Sequence, residues 1–174
     1  MNALTSVEEG IAGLPSAMEQ LPEAAFSVAL VRLVVGAKVA AVKAGAGTGS
    51  IFTLHLRSAT GPVCYLMVYC AWKLLRAGLV ACTWQAPEDY LAAALLAHEG
   101  ETVVSARVAS GGDVELMLNA GAQLKLFVDS YAQDRPPDEF SSCDYFVGAA
   151  EGIFSCIRGG FYREAAMLVV QENV

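Results

Sequence analysis

Charge is scarce in this sequence. Only 17% of the 174 residues are Asp, Glu, Lys or Arg. Basic residues are scarcer still: 11 stand against 18 acids, a formal net charge of -7. Nucleic-acid binding relies on clustered Lys and Arg facing phosphates, so no nucleic-acid partner is expected. No basic residue precedes Arg32, and Glu8, Glu9, Glu19 and Glu23 occupy the first stretch instead. A secretory leader needs a basic start followed by an apolar run, and none is read. Long apolar runs are also missing. The longest uncharged run, Ser58 to Trp72, is broken by Thr60, Gly61 and Pro62 and falls short of the roughly 20 residues that span a bilayer. A cytoplasmic chain with no membrane association is the expectation.

Reactive and metal-binding residues are few. The two histidines are His55 and His98, and neither has Cys, Asp or Glu at a convincing metal spacing. The five cysteines, Cys64, Cys70, Cys82, Cys143 and Cys156, are odd in number and never spaced CxxC. That pattern suits neither a disulfide framework nor a zinc site. Cys64 and Cys70 lie in an apolar run, where a thiol packs as a small hydrophobe. Gly45-Ala46-Gly47-Thr48-Gly49-Ser50 lacks the Lys of a phosphate loop and precedes a strand pattern, so it reads as a turn. No Gly-x-Ser-x-Gly elbow occurs. No cofactor, metal or catalytic residue is assigned.

What the chain does have is apolar material: 55% of its residues are hydrophobic. That is far from a disordered composition, and the length suits one domain with a core. Leu4, Val7, Ile11, Leu14, Met18 and Leu21 recur at helical spacing. Pro15 divides them into two short helices, about 5–13 and 15–20. Residues 1–21 therefore read as an N-terminal helical arm before a single domain over 22–174. Pro22-Glu23 starts a helix that stops near Gly36. The period then changes to two. Lys38 to Lys43 is one strand, Phe52, Leu54 and Leu56 share a face of the next, and Val63 to Leu75 reads as a long central strand. Pro87-Glu88 starts a second such unit. Its helix ends at Gly100, and strands follow at Val103, at Val114 to Leu118 and, after the Asn119–Ala122 hairpin, at Leu124 to Val128. The pattern helix–strand–strand–strand thus occurs twice, an internal duplication of 22–75 and 87–148. Tyr145 to Val147 is a short strand. The tail from Phe161 to Val170 is open between helix and strand. The expected fold is α+β: two successive helix–strand–strand–strand units forming one largely antiparallel sheet, with N-terminal helices packed on it.

The charge is unevenly placed. Residues 1–100 hold six bases and seven acids, and residues 101–174 hold five bases and eleven acids. Asp129, Asp134, Asp138, Glu139 and Asp144 fall within sixteen residues, with only Arg135 among them. Calcium loops alternate oxygen ligands around a Gly, which is missing here. The cluster is either a solvated loop or a negative surface that steers a basic partner.

Gly49 to Leu54, Leu66 to Leu74, Asp113 to Leu116 and Leu124 to Phe127 together resemble small bacterial immunity proteins found beside polymorphic or contact-dependent toxins. The resemblance covers about residues 25–148 and carries over no catalytic residue. It implies a non-enzymatic protein that binds and neutralises a cognate toxin. Asp129, Asp134, Asp138, Glu139 and Asp144 are the expected partner-binding residues. Two alternatives stand beside it: a secretion chaperone, a homodimer as such chaperones are, that holds an effector segment, and a cysteine-dependent enzyme using Cys64, Cys70, His55 or the acidic cluster.

Overall fold

The computed structural model describes residues 18–59, 63–128 and 143–165. Its elements run β1 (Glu19–Leu21), α1 (Glu23–Val34), β2 (Lys38–Ala44), β3 (Phe52–Arg57), β4 (Val63–Val68), β5 (Ala71–Arg76) and β6 (Leu79–Thr83). Then come α2 (Glu88–Leu96), β7 (Val103–Val108), β8 (Val114–Leu118), β9 (Ala122–Phe127), β10 (Cys143–Ala149), β11 (Gly152–Ile157) and β12 (Gly160–Ala165). The strands form two sheets. Sheet A has the order β1-β12-β11-β10-β4-β3-β2, and sheet B has β6-β5-β9-β8-β7.

This corrects the expected α+β class. Among the described residues the fold is mostly β, with two short helices and two separate sheets in place of one. The expected helices at 5–13 and over most of 15–20 lie outside the described residues. Glu19 to Leu21, at the end of the second, is instead a strand paired with β12. The long strand expected from Val63 to Leu75 is two strands in different sheets. It breaks at Tyr69-Cys70, whose N–H groups both donate to the Asp144 carbonyl at 2.9 Å. The tail is strand as far as Ala165.

Each helix opens where the sequence marks it. Pro22 and Pro87 are the N-cap residues, with Glu23 and Glu88 in the first turns. A carboxylate there suits the positive end of the helix dipole. Gly36 (φ 82°) and Gly100 (φ 90°) then turn the chain into β2 and β7 through a left-handed conformation that glycine adopts freely.

The chain crosses twice between sheets. β2-β3-β4 form a meander in sheet A, and the chain then enters sheet B as β5-β6, beside β9. β7-β8-β9 form a meander in sheet B, and the chain enters sheet A as β10-β11, beside β4. Each sheet is therefore built from both runs, and the two runs hold equivalent places. The register agrees in detail. Val39 faces Leu56 and Val103 faces Leu118, each followed by a one-residue slip, at Val39/Ala41 and at Val103/Ser105. The two runs also bond to each other symmetrically. Gly36 N–H donates to Val103 O and Gly100 N–H to Val39 O, both at 2.8 Å. Val39 N–H donates to Glu101 O and Val103 N–H to Ala37 O.

One core serves both sheets. At matching places it holds its two largest fully buried side chains, Trp72 on β5 and Tyr145 on β10. Trp72 faces Leu126 and Tyr145 faces Val68, which are themselves equivalent positions of β9 and β4. Each aromatic donates to a backbone carbonyl two residues before a strand: Trp72 Nε1–H to Ser50 O at 2.9 Å, and Tyr145 O–H to Gly112 O at 2.8 Å. Such pairing is what a buried indole or phenol requires.

On the outer face of sheet B, Arg107, Glu115 and Lys125 lie side by side across β7, β8 and β9. Lys125 Nζ is 2.7 Å and Arg107 Nη2 3.1 Å from the Glu115 carboxylate. Those hydrogen bonds, Lys125 first, hold the Glu115 carboxyl below the usual range. A lowered folded-state pKa adds stability above the unfolded value and loses it as pH falls through the folded one. Glu115→Gln should lower the melting temperature slightly at pH 7, as suits a surface pair. That difference from wild type should vanish in acid. Equal melting curves at pH 7 would show that the row contributes nothing.

Candidate functional site

The two crossovers differ in length. Val68 to Trp72 is four steps, whereas the equivalent Leu126 to Tyr145 is nineteen, so the second crossover carries fifteen more residues. That stretch, 129–143, holds Asp129, Asp134, Asp138 and Glu139, with Arg135 its only base. These four acids lie outside the described residues. The ends of the stretch are fixed by two other carboxylates. Asp113 Oδ1 accepts the Val128 N–H at 2.8 Å, and Asp144 Oδ2 accepts the Arg158 N–H at 2.7 Å. Asp144 is only 7% exposed. The structure thus places the fifth predicted acid inside, anchoring the turn between β11 and β12. Gly112 closes the same junction. Its φ is +100°, and a Cβ there would meet Cys156 Sγ at 2.8 Å.

The cysteines pack as hydrophobes. Burial pushes the thiols of Cys70 and Cys156 up to about 12 and that of Cys143 up to about 11, and the Asp144 charge adds to each. Burial also raises Cys64 and Cys82. Such thiols stay protonated near neutral pH, and the thiolate is the nucleophile. Native protein should therefore react with a thiol reagent at pH 8 far more slowly than urea-unfolded protein, and one rapidly labelled cysteine would contradict the assignment. The linkage also has a direction. A raised thiol pKa contributes stability below the ordinary value of 9 and loses it as pH rises toward 12, so the melting temperature should fall over that range.

His98 is 5% exposed, with Nδ1 2.9 Å from Glu101 Oε1 and Nε2 3.4 Å from Arg76 Nη2. Arg76 can only donate, so Nε2 accepts and Nδ1 carries the proton to Glu101. The equivalent positions in the other half are the apolar Val34, Ala37 and Ala149. A cavity of about 410 Å³ adjoins the triad, lined otherwise by Ala77, Ala120, Gly121 and Ala122, with no hydroxyl or thiol. His55 sits on β3 opposite Tyr65 of β4, away from this group in the register. Among the described residues no group of three or more His, Cys, Asp or Glu could hold a metal ion. No helix among them is long and apolar enough to cross a membrane.

Sequence reasoning missed one surface altogether, the edge of sheet B. β6 lies at that edge, and Leu79 and Val80 on it are 75% and 56% exposed. Trp84 and Tyr90, also exposed, flank it. An apolar groove of about 280 Å³ runs between β6 and α2, lined by Leu74, Ala81, Tyr90, Ala93 and Ala97 among others. The available signal was the uncharged stretch from Ala77 to Pro87.

Comparison with protein-family models, curated proteins and solved structures returns no match.

Proposed function

We propose that this chain is a non-enzymatic, immunity-type protein that binds and neutralises a basic toxin through the acidic stretch of its second crossover. One observation carries the reading. The first crossover makes the same passage between sheets with fifteen fewer residues. The same passage between the sheets is thus possible with far fewer residues, and long extra connections on rigid scaffolds are commonly functional. Asp113 and Asp144 hold its ends to the two sheets. Acid on such a stretch speeds encounter with a basic partner and fixes its orientation. Asp129, Asp134, Asp138 and Glu139 are the contact residues, and buried Asp144, next after the stretch, ties its end to the Arg158 N–H.

The test is co-expression with the product of each adjacent reading frame, scored for toxicity without this chain, together with binding kinetics of the purified pair over a salt series. The wild type should restore growth. Charge reversal of the four acids to Lys should abolish protection and slow association by about 10-fold or more, with a flatter salt dependence. Equal protection and equal rates would reject this surface.

A further inference from the structure

Two bases face each other near the place where the two runs of the chain meet. Lys38 opens β2, Arg57 ends β3, and the register sets them directly opposite. Both are exposed. Like charges so placed repel, and strand pairing is weaker for them. The other half shows that the fold does not call for charge here. Thr102 and Asn119 hold the places equivalent to Lys38 and Arg57, and both are neutral. Asn119 Oδ1 accepts the Thr102 N–H, and the Asn119 N–H donates to Thr102 O, both at 2.9 Å. No acid offsets the two bases. Among the described residues neither Lys38 nor Arg57 has an ion pair. The nearby carboxylates of Glu99 and Glu101 are turned elsewhere, to the Val42 N–H and to His98. Both bases line one groove of about 650 Å³, together with Thr102, whose backbone bridges to Lys38. Gly36 and Gly100 leave its walls bare. A Cβ on Gly36 would meet nothing within 4 Å, and one on Gly100 would stand 3.9 Å from Lys38 Cε. The Lys38 stem thus lies along Gly100, beside the groove.

We infer that this groove binds a small molecule carrying a phosphate monoester, with the phosphate held between Lys38 and Arg57. Charge selects the group. A phosphate monoester carries about 1.5 to 2 negative charges near neutral pH, which answers two cations, whereas a carboxylate carries only one. Donor geometry agrees. The Arg57 guanidinium offers a planar fork for two oxygens, and the Lys38 ammonium is a point charge for the third. The Thr102 hydroxyl adds a neutral donor in the same lining. The volume lies within the range of small-molecule sites, so the groove has room for an organic part beside the phosphate. Two bases suit one phosphate group; a nucleic-acid backbone calls for a longer row of them. Residues 129–143 take no part, so the inference stands apart from the proposed toxin binding.

Titration of the isotope-labelled full chain with phenyl phosphate, followed by amide chemical shifts in about 150 mM salt, tests it. Benzoate, with the same ring and a single charge, is the control. Phenyl phosphate should shift the amides of Lys38, Arg57, Gly100 and Thr102 saturably, and benzoate should bind at least about 10-fold more weakly. The double variant Lys38→Thr, Arg57→Asn copies the neutral pair of the other half. It removes a repulsion, so it should melt no lower than the wild type, and it should bind phenyl phosphate at least about 10-fold more weakly. Absence of a saturable shift at these amides in the wild type overturns the inference, whatever the variant does. Benzoate binding as tightly as phenyl phosphate overturns it too, because the groove then does not select a phosphate. So does undiminished binding by the folded double variant, because the phosphate then sits elsewhere.

Discussion

Alanine at Trp72 or at Tyr145 should cost the fold about 3–5 kcal/mol each, the range for removing a large buried aromatic. Both side chains are fully buried, at matching places on β5 and β10. Each also holds the chain just before a strand, through Ser50 O or Gly112 O. Trp72 further meets Phe52 edge-on, with ring centroids 5.3 Å apart, and Tyr145 meets Phe26 at 6.1 Å. Tyr145→Phe separates packing from hydrogen bonding. It keeps the ring but leaves the Gly112 carbonyl unpaired, and should cost about 1–3 kcal/mol. Urea unfolding followed by circular dichroism gives these values. Losses of similar size in the two alanine variants are expected, because each ring fills the same place in its half. A change below about 1 kcal/mol at either position would mean that ring is not a core anchor.

Much of the meander pattern was legible because alternation reports directly on strand faces. Phe52, Leu54 and Leu56 are all buried on β3, and Val114, Leu116 and Leu118 on β8. The starts at Pro22 and Pro87 and the glycines at Gly36 and Gly100 were legible through local backbone preference. What failed depended on distant partners. Nothing local breaks the run Val63 to Leu75, since Tyr69 and Cys70 are as strand-compatible as their neighbours. The break is set by the Asp144 carbonyl, far along the chain. Arg163, Glu164 and Ala165 favour helix by propensity, yet pairing with β11 makes them strand, and β1 also pairs with Arg163. Propensity yields to tertiary context in such cases. β6 was missed because Leu79-Val80-Ala81-Cys82-Thr83 does not alternate; Leu79 and Val80 are both exposed.

The predicted acidic site was legible only in part. Spacing grouped Asp144 with the four acids before it. Asp144 belongs to β10 and is buried, with its carboxylate turned to the Arg158 N–H, while the other four lie outside the described residues. The polar triad of Arg76, His98 and Glu101 was invisible in sequence, since it assembles from β5 and the turn after α2. Cys64 and Cys70 lie in the core as their apolar run suggested, and Cys82 and Cys156 are buried as well.

The second large effect follows from the unequal crossovers. Removing residues 129–143 joins Val128 directly to Asp144 and gives the second crossover the length of the first. Asp113 would still accept the Val128 N–H and Asp144 the Arg158 N–H, because all four groups lie outside the deletion. Closing a shorter connection costs less chain entropy, so the shortened chain should keep its cooperative melting transition. Loss of that transition would show that the stretch is part of the fold.

The same variant supplies the most direct measurement on the proposed function: the affinity of wild-type and shortened chains, both shown to be folded, for a basic toxin identified by screening the products of the neighbouring reading frames. The expected result is tight binding by the wild type and a loss of at least about 100-fold in the shortened chain, the scale seen when an interface loses its central contacts. Equal affinity of the two chains would contradict it.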